Sequence, residues 1–214
     1  MFNAHHLEAV QAIAAAAVAR RAPLMLSTTM GGIRHIGLDY FVAMAGAARA
    51  SVTVQLVLHR DHGADLGTVE VRIERGFDSV MIDASLASYD DNVTLVREVV
   101  SLARRQGVAV EARVGENASE EREEVAKRKT IVAEAVAFVA DTDVEMLADF
   151  TPDLICAGIA KVNIDAATKA AFRDALVRHC AAAEPEIDTG KPLAEARTAA
   201  QQCASSDNLR HRMP

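Results

Sequence analysis

The chain has 214 residues, half of them hydrophobic and a quarter charged, with a formal charge of −7. That composition excludes disorder, collagen-like repeats and small disulfide scaffolds, and it supplies enough apolar chain to bury a large core. The acidic balance, the 4% aromatic content and the lack of Trp argue against a nucleic-acid surface.

The first 19 residues are apolar but carry Glu8 and two histidines and have no basic leader, a poor signal peptide. No run reaches the roughly 18 apolar residues of a membrane span. Cys156, Cys180 and Cys203 are odd in number and widely spaced, which suits a reducing cytoplasm.

Strand-like and helix-like runs alternate along the chain. An Ala-rich helix is expected over residues 7–21, stopped by Pro23, with a short strand at 24–27. Gly31-Gly32 reads as a turn into a helix at 37–50. Residues 52–59 (VTVQLVLH) are β-branched and almost wholly apolar. A strand apolar on both faces suits a parallel sheet covered by helices.

Further elements follow in the same rhythm: helix 66–75, strand 79–83, helix 92–106, strand 109–114 and a charged helix at 119–140. Then come a weak strand at 144–147, helix 152–157, strand 161–164, helix 167–183 and a last helix at 193–203. The run SEEREEVAKRK (119–129) reads as a solvated helix face with i,i+4 charge pairs.

A faint internal repeat aligns GFDSVMIDA (76–84) with GIAKVNIDA (158–166). In each a Gly ends a helix, a short strand follows, and an Asp leaves the strand's C-terminal end. The whole pattern reads as an α/β barrel or an open doubly wound sheet. Neither Gly-x-Gly-x-x-Gly nor the P-loop pattern occurs, so nothing marks a nucleotide fold. We read residues 1–184 as one barrel-like domain, with 185–214 a C-terminal loop and helix packed on it.

In parallel β/α proteins the C-terminal strand ends carry the site. The sharpest candidate is His59-Arg60-Asp61-His62, directly after the most apolar strand. Two imidazoles and a carboxylate there suit a metal and a general base. Asp83 with Ser85, Glu111 with Arg113, and Asn163 with Asp165 extend a polar rim suited to a polyhydroxy or phosphorylated substrate. His5 and His6 follow the first strand remnant, His35 sits near a helix start, and His179 and His211 read as surface residues.

With these stretches in view, the sequence resembles the class II ketose-bisphosphate aldolases, in the fructose- and tagatose-bisphosphate branch. The matching segments are FNAHHLEAVQAI, STTMGGIRHIG, LVLHRDHG, GFDSVMIDAS, NVTLVREVV, VAVEARVG and GIAKVNID, in the family's order. The resemblance implies a TIM-type (β/α)8 barrel and a zinc ion. It also implies reversible aldol cleavage of a ketose 1,6-bisphosphate to dihydroxyacetone phosphate and an aldehyde. Carried over residue by residue, His62 is a metal ligand and Asp61 the proton-handling carboxylate. Asn163 and Asp165 would touch the dihydroxyacetone phosphate portion, and Asn3 and Thr29 fall on substrate-contacting positions.

The departures point to an incomplete barrel. Two further zinc histidines of the family have no counterpart. The end of strand six, its helix and strand seven are missing between 139–148 and 149–165. Arg113 stands where the family has a second metal-site Glu, Ala166 where it has a phosphate-binding hydroxyl, and 116–127 where it has a glycine-rich loop. The expectation is an aldolase with impaired activity, or alternatively a catalytically dead barrel serving as a binding or assembly partner. Exposed sheet edges and helix faces would favour a homo-oligomer or association with another subunit.

Overall fold

A computed structural model describes residues 1–63, 65–114, 132–148, 163–182 and 187–206. The predicted helix at 152–157 and the charged run at 119–129 lie outside the described residues. The architecture is α/β with parallel strands, that of an incomplete TIM-type barrel. The chain divides into two compact units, one of residues 1–58 with 163–214 and the other of residues 59–162.

In the first unit, β1 (Phe2–Asn3) pairs in parallel with β2 (Leu24–Ser27), and β2 with the first half of β3 (Leu56–Gly63). Phe2 also bridges Ile164, with Asn3 N–H donating to the Ile164 carbonyl and Ile164 N–H to that of Met1. Thus a two-residue strand is bonded on both edges.

Helix α1 (Leu7–Arg20) buries Val10, Ala12, Ile13, Ala14, Ala16 and Ala17. Small side chains almost all round let neighbouring helices approach closely. The last helix, Gly190–Ser205, packs against it. Helix α2 (Met30–Ile36) and α3 (Leu38–Ser51) follow β2. Here the expectation of a turn fails, because Gly31 and Gly32 lie inside α2 rather than before a single helix. Packing decides this: a Cβ on Gly32 would lie 2.1 Å from Thr28 Oγ1 and 2.5 Å from His5 Nδ1, so the position admits only hydrogen.

In the second unit, the end of β3 pairs with β4 (Ser79–Ile82), β4 with β5 (Ala109–Ala112), and β5 with β6 (Met146–Leu147), all in parallel. Helices α4 (Leu66–Glu74), α5 (Tyr89–Arg104) and α6 (Val132–Thr142) alternate with these strands. Helix α5 carries an amphipathic stripe, burying Val93, Val96, Val99, Val100 and Ala103. Ser88 caps it, accepting from Asp91 N–H, and Asp90 and Asp91 sit in its positive first turn.

The C-terminal helices belong to the first unit: α7 (Ala166–Ala182) and α8 (Gly190–Ser205), which packs on both α7 and α1. Among the described residues no helix is long and apolar enough to cross a membrane.

The predicted strand at 52–59 is displaced by four residues, since β3 runs Leu56–Gly63. Val52 instead ends α3, its N–H bonded to the Ala48 carbonyl. The polar residues His59, Arg60 and Asp61 are therefore strand residues, and all three are buried.

Candidate strand-tip site

Strand pairing in the second unit lines up three chain segments. Gly63 is paired with Ile82, Ile82 with Ala112, and Asp83 N–H donates to the Gly63 carbonyl. Asp61-His62, Asp83-Ala84-Ser85 and Arg113 therefore lie at the C-terminal ends of neighbouring strands. A register shift between Arg60 and Gly63 marks the end of β3. Gly63 has to be glycine, because a Cβ there would lie 2.5 Å from the Met81 carbonyl oxygen.

Below the tips sits a buried polar ladder. His59 Nδ1 lies 2.8 Å from Ser79 Oγ, and its Nε2 lies 2.9 Å from Glu111 Oε2. Both His59 and Glu111 are fully excluded from solvent. Each residue comes from a different strand, so the ladder ties β3, β4 and β5 together. It corrects one expectation, because His59 is clamped inside the sheet and does not face an open rim.

Arg60 is likewise buried and donates from Nη1 to the Asp61 carbonyl. Burial pushes its guanidinium down to about 10, helped by the nearby charge of Arg72 and opposed by Asp61. Asp61 itself is 4% exposed. His62 has its backbone in β3, and its side chain lies outside the described residues.

At the tips, Asp83 accepts from both the Ser85 hydroxyl (2.6 Å) and the Ser85 N–H (3.2 Å) through Oδ1. Its other oxygen, Oδ2, is 3.3 Å from Arg113 Nη1. Asn92, at the start of α5, donates from Nδ2 to the Arg113 carbonyl at 2.8 Å. The predicted rim pair Asp83 and Ser85 is thus brought together with Arg113, whereas Glu111 turns inward to His59. Sequence reasoning gave no role to Ser79 and Asn92, although both lie within matching segments. Ser79 gains its role from its register opposite His59, and Asn92 from its bond to the Arg113 carbonyl.

In the first unit, Asn3 is buried within β1. Thr29 is the N-cap of α2, its hydroxyl accepting from Gly32 N–H at 3.2 Å. Asn163 is exposed and Asp165 half-buried. The Asp165 carboxylate lies 3.3 Å from His5 Nε2 and 2.6 Å from Lys169 Nζ. Burial alone would push this carboxyl up. The hydrogen bonds and charges of His5 and Lys169 outweigh it and hold the group below its usual range.

A carboxyl lowered in the folded state contributes stability above its unfolded pKa, about 4, that is lost as pH falls through the folded value. We expect Asp165→Asn to be less stable than the parent at pH 7 in urea melts. The gap should narrow as the pH drops below about 4. A gap independent of pH would refute this.

Nearby, His6 Nδ1 caps α1 by accepting from Ala9 N–H, and its ring packs 4.3 Å from that of Phe172. Burial lowers the His6 pKa, with Glu8 opposing the shift, and this favours the neutral ring that can accept.

The chemistry implied by the resemblance needs a metal, and the described donors do not fit one. Among the described residues no three His, Cys, Asp or Glu side chains converge. His59 and Glu111 are committed to each other, and Asp83 is held by Ser85 and Arg113.

Against known proteins, the family model for fructose-bisphosphate aldolase class II matches residues 1–149. The fructose-bisphosphate aldolase of Giardia intestinalis is 36% identical over 115 residues, which cover 53% of this chain and 36% of that protein. The match therefore spans little more than a third of that curated relative. The YdjI aldolase from Escherichia coli K12 superposes with a TM-score of 0.79 at 22% identity, covering 98% of this chain and 88% of that one. The fructose-bisphosphate aldolase (Fba) of Campylobacter jejuni gives 0.77 at 15% identity, covering 95% and 87%. At those identities the superpositions speak for the fold.

Proposed function

The chain belongs to the class-II fructose-bisphosphate aldolase family, and on that premise we propose that it cleaves a ketose 1,6-bisphosphate reversibly to dihydroxyacetone phosphate and an aldehyde, at an impaired rate. The observation that carries the reading is the family match over residues 1–149, which includes the strand end bearing Asp61-His62. In this reading Asp61 takes the proton of the substrate hydroxyl next to the breaking bond. The carbon–carbon bond then breaks and its electron pair moves onto the carbonyl as an enediolate. His62 is the family's metal-ligand position, while Asn3, Thr29, Asn163 and Asp165 are assigned to substrate contact. Zinc is the cofactor the family would supply, and the described donors do not fit it. A cytoplasmic setting accords with this chemistry.

The test is a coupled cleavage assay on fructose and tagatose 1,6-bisphosphates. Turnover is expected, and Asp61→Ala should lower it by at least about 100-fold, the usual contribution of a general acid or base. No turnover in the parent protein, or an unchanged rate in Asp61→Ala, would overturn the reading.

The second reading is an aldolase-like barrel without catalysis that associates with a second copy or another subunit. It is favoured by the outward face of α6, where Val136 and Val139 are 62% and 40% exposed beside exposed Ala133, Ala137 and Ala140. Light scattering showing a monomer at all concentrations would remove that support.

A further inference from the structure

We propose that Arg113 is a built-in cation that closes the β4–β5 strand tips to divalent metal. The register carries the argument: Ile82 pairs with Ala112, so the next residues, Asp83 and Arg113, are cross-strand neighbours. Asp83 is the carboxylate at this tip, and the guanidinium faces it at 3.3 Å. The other carboxylate oxygen is occupied by two bonds from Ser85. The arginine is fixed from its own backbone, because Asn92, itself 3% exposed, donates to its carbonyl.

The Arg113 Nε is buried and, among the described residues, has no hydrogen-bond partner. A buried donor left without a partner is costly, so the site holds this guanidinium at a penalty instead of letting it swing to water. Its positive charge lies 3.3 Å from Asp83 Oδ2, so a metal ion bound through that oxygen would meet it. Two like charges at such a distance in a partly desolvated setting repel strongly. Arginine, unlike lysine, cannot relieve this by losing its proton. The rim is thus neutralised internally, in accord with the lack of a three-donor cluster among the described residues. The inference concerns metal binding only and stands whether or not the chain turns over a sugar.

The experiment is zinc titration of the chelator-stripped full chain against a competing chromophoric chelator, with cobalt absorption as a second readout. The parent should take up well under one equivalent at micromolar zinc. Arg113→Glu, which places a second carboxylate beside Asp83, should bind about one equivalent at least about tenfold more tightly. Asp83→Ala in that background should abolish the gain. Should Arg113→Glu fail to fold, Arg113→Gln, which keeps a donor toward Asp83 but removes the charge, should still raise affinity by several-fold. Stoichiometric tight zinc in the parent, or affinity unchanged in the folded Arg113 variants, would overturn the proposal.

Discussion

Glu111→Ala is expected to destabilise the protein by about 3–5 kcal/mol, because it removes one partner of a buried pair and leaves the other without compensation. His59 Nε2 faces Glu111 at 2.9 Å with both side chains closed to solvent, so truncation leaves the imidazole facing a buried cavity. For a chain of this size each kcal/mol moves the melting temperature by about 2–4 °C, so a drop of about 6–20 °C should appear in a thermal scan. Glu111→Gln, which can still meet the ring with a polar group, should lose well under half as much. Replacing both partners together, His59→Phe with Glu111→Leu, should recover much of the loss, since a well-packed apolar pair needs no desolvation of charge. A single alanine variant within 1 kcal/mol of the parent would show that the ladder is not a structural tie.

The second large effect lies between two helices of the same unit. Phe138 is fully buried on α6, and its ring meets that of Tyr89 edge-on, with centroids 5.8 Å apart at 77°. Phe138→Ala should cost about 3–5 kcal/mol through lost burial and the cavity left behind, read as a fall in the urea midpoint at unchanged slope. Tyr89→Phe keeps the ring contact. It loses only the hydroxyl donated to Asp141 at 2.8 Å, and should change stability by less than about 1 kcal/mol. If the two substitutions cost the same, burial of Phe138 is not what holds α6 to α5.

The alternation of strands and helices was legible because apolar periodicity reports local burial. Helix α1, strand β2, and strands β4 and β5 fall within a few residues of their expected positions. The error at β3 has a specific cause. Residues 52–55 are apolar enough for a strand, and nothing local shows that α3 runs on through Ser51. His59, Arg60 and Asp61 look like a loop in isolation. They become strand residues because Ser79 and Glu111, 20 and more positions away, satisfy the imidazole.

The site was legible in the same uneven way. Strand-end position could be read for Asp61, Asp83 and Arg113, since the C-terminal end of a β-rich run is a local property. That Asp83 would face Arg113 could not be read, because it depends on register across two strands. Thr29 was singled out for substrate contact, and its hydroxyl also serves as a helix cap, a role set by the packing of Gly32 against Thr28 and His5.

The bonds between Ile164 and the first three residues have a consequence for how the protein is made. During synthesis Phe2 and Asn3 emerge long before their partner on one edge, with 161 residues of chain between Phe2 and its bridge at Ile164 exclusive of the two. Helices α7 and α8, which complete this unit around α1, come later still. The amino-terminal segment must therefore wait, half-satisfied, while the second unit's chain passes through the ribosome. Nascent chains stalled before Ile164 should be digested readily at the β1–α1 segment, and those released after α8 should resist.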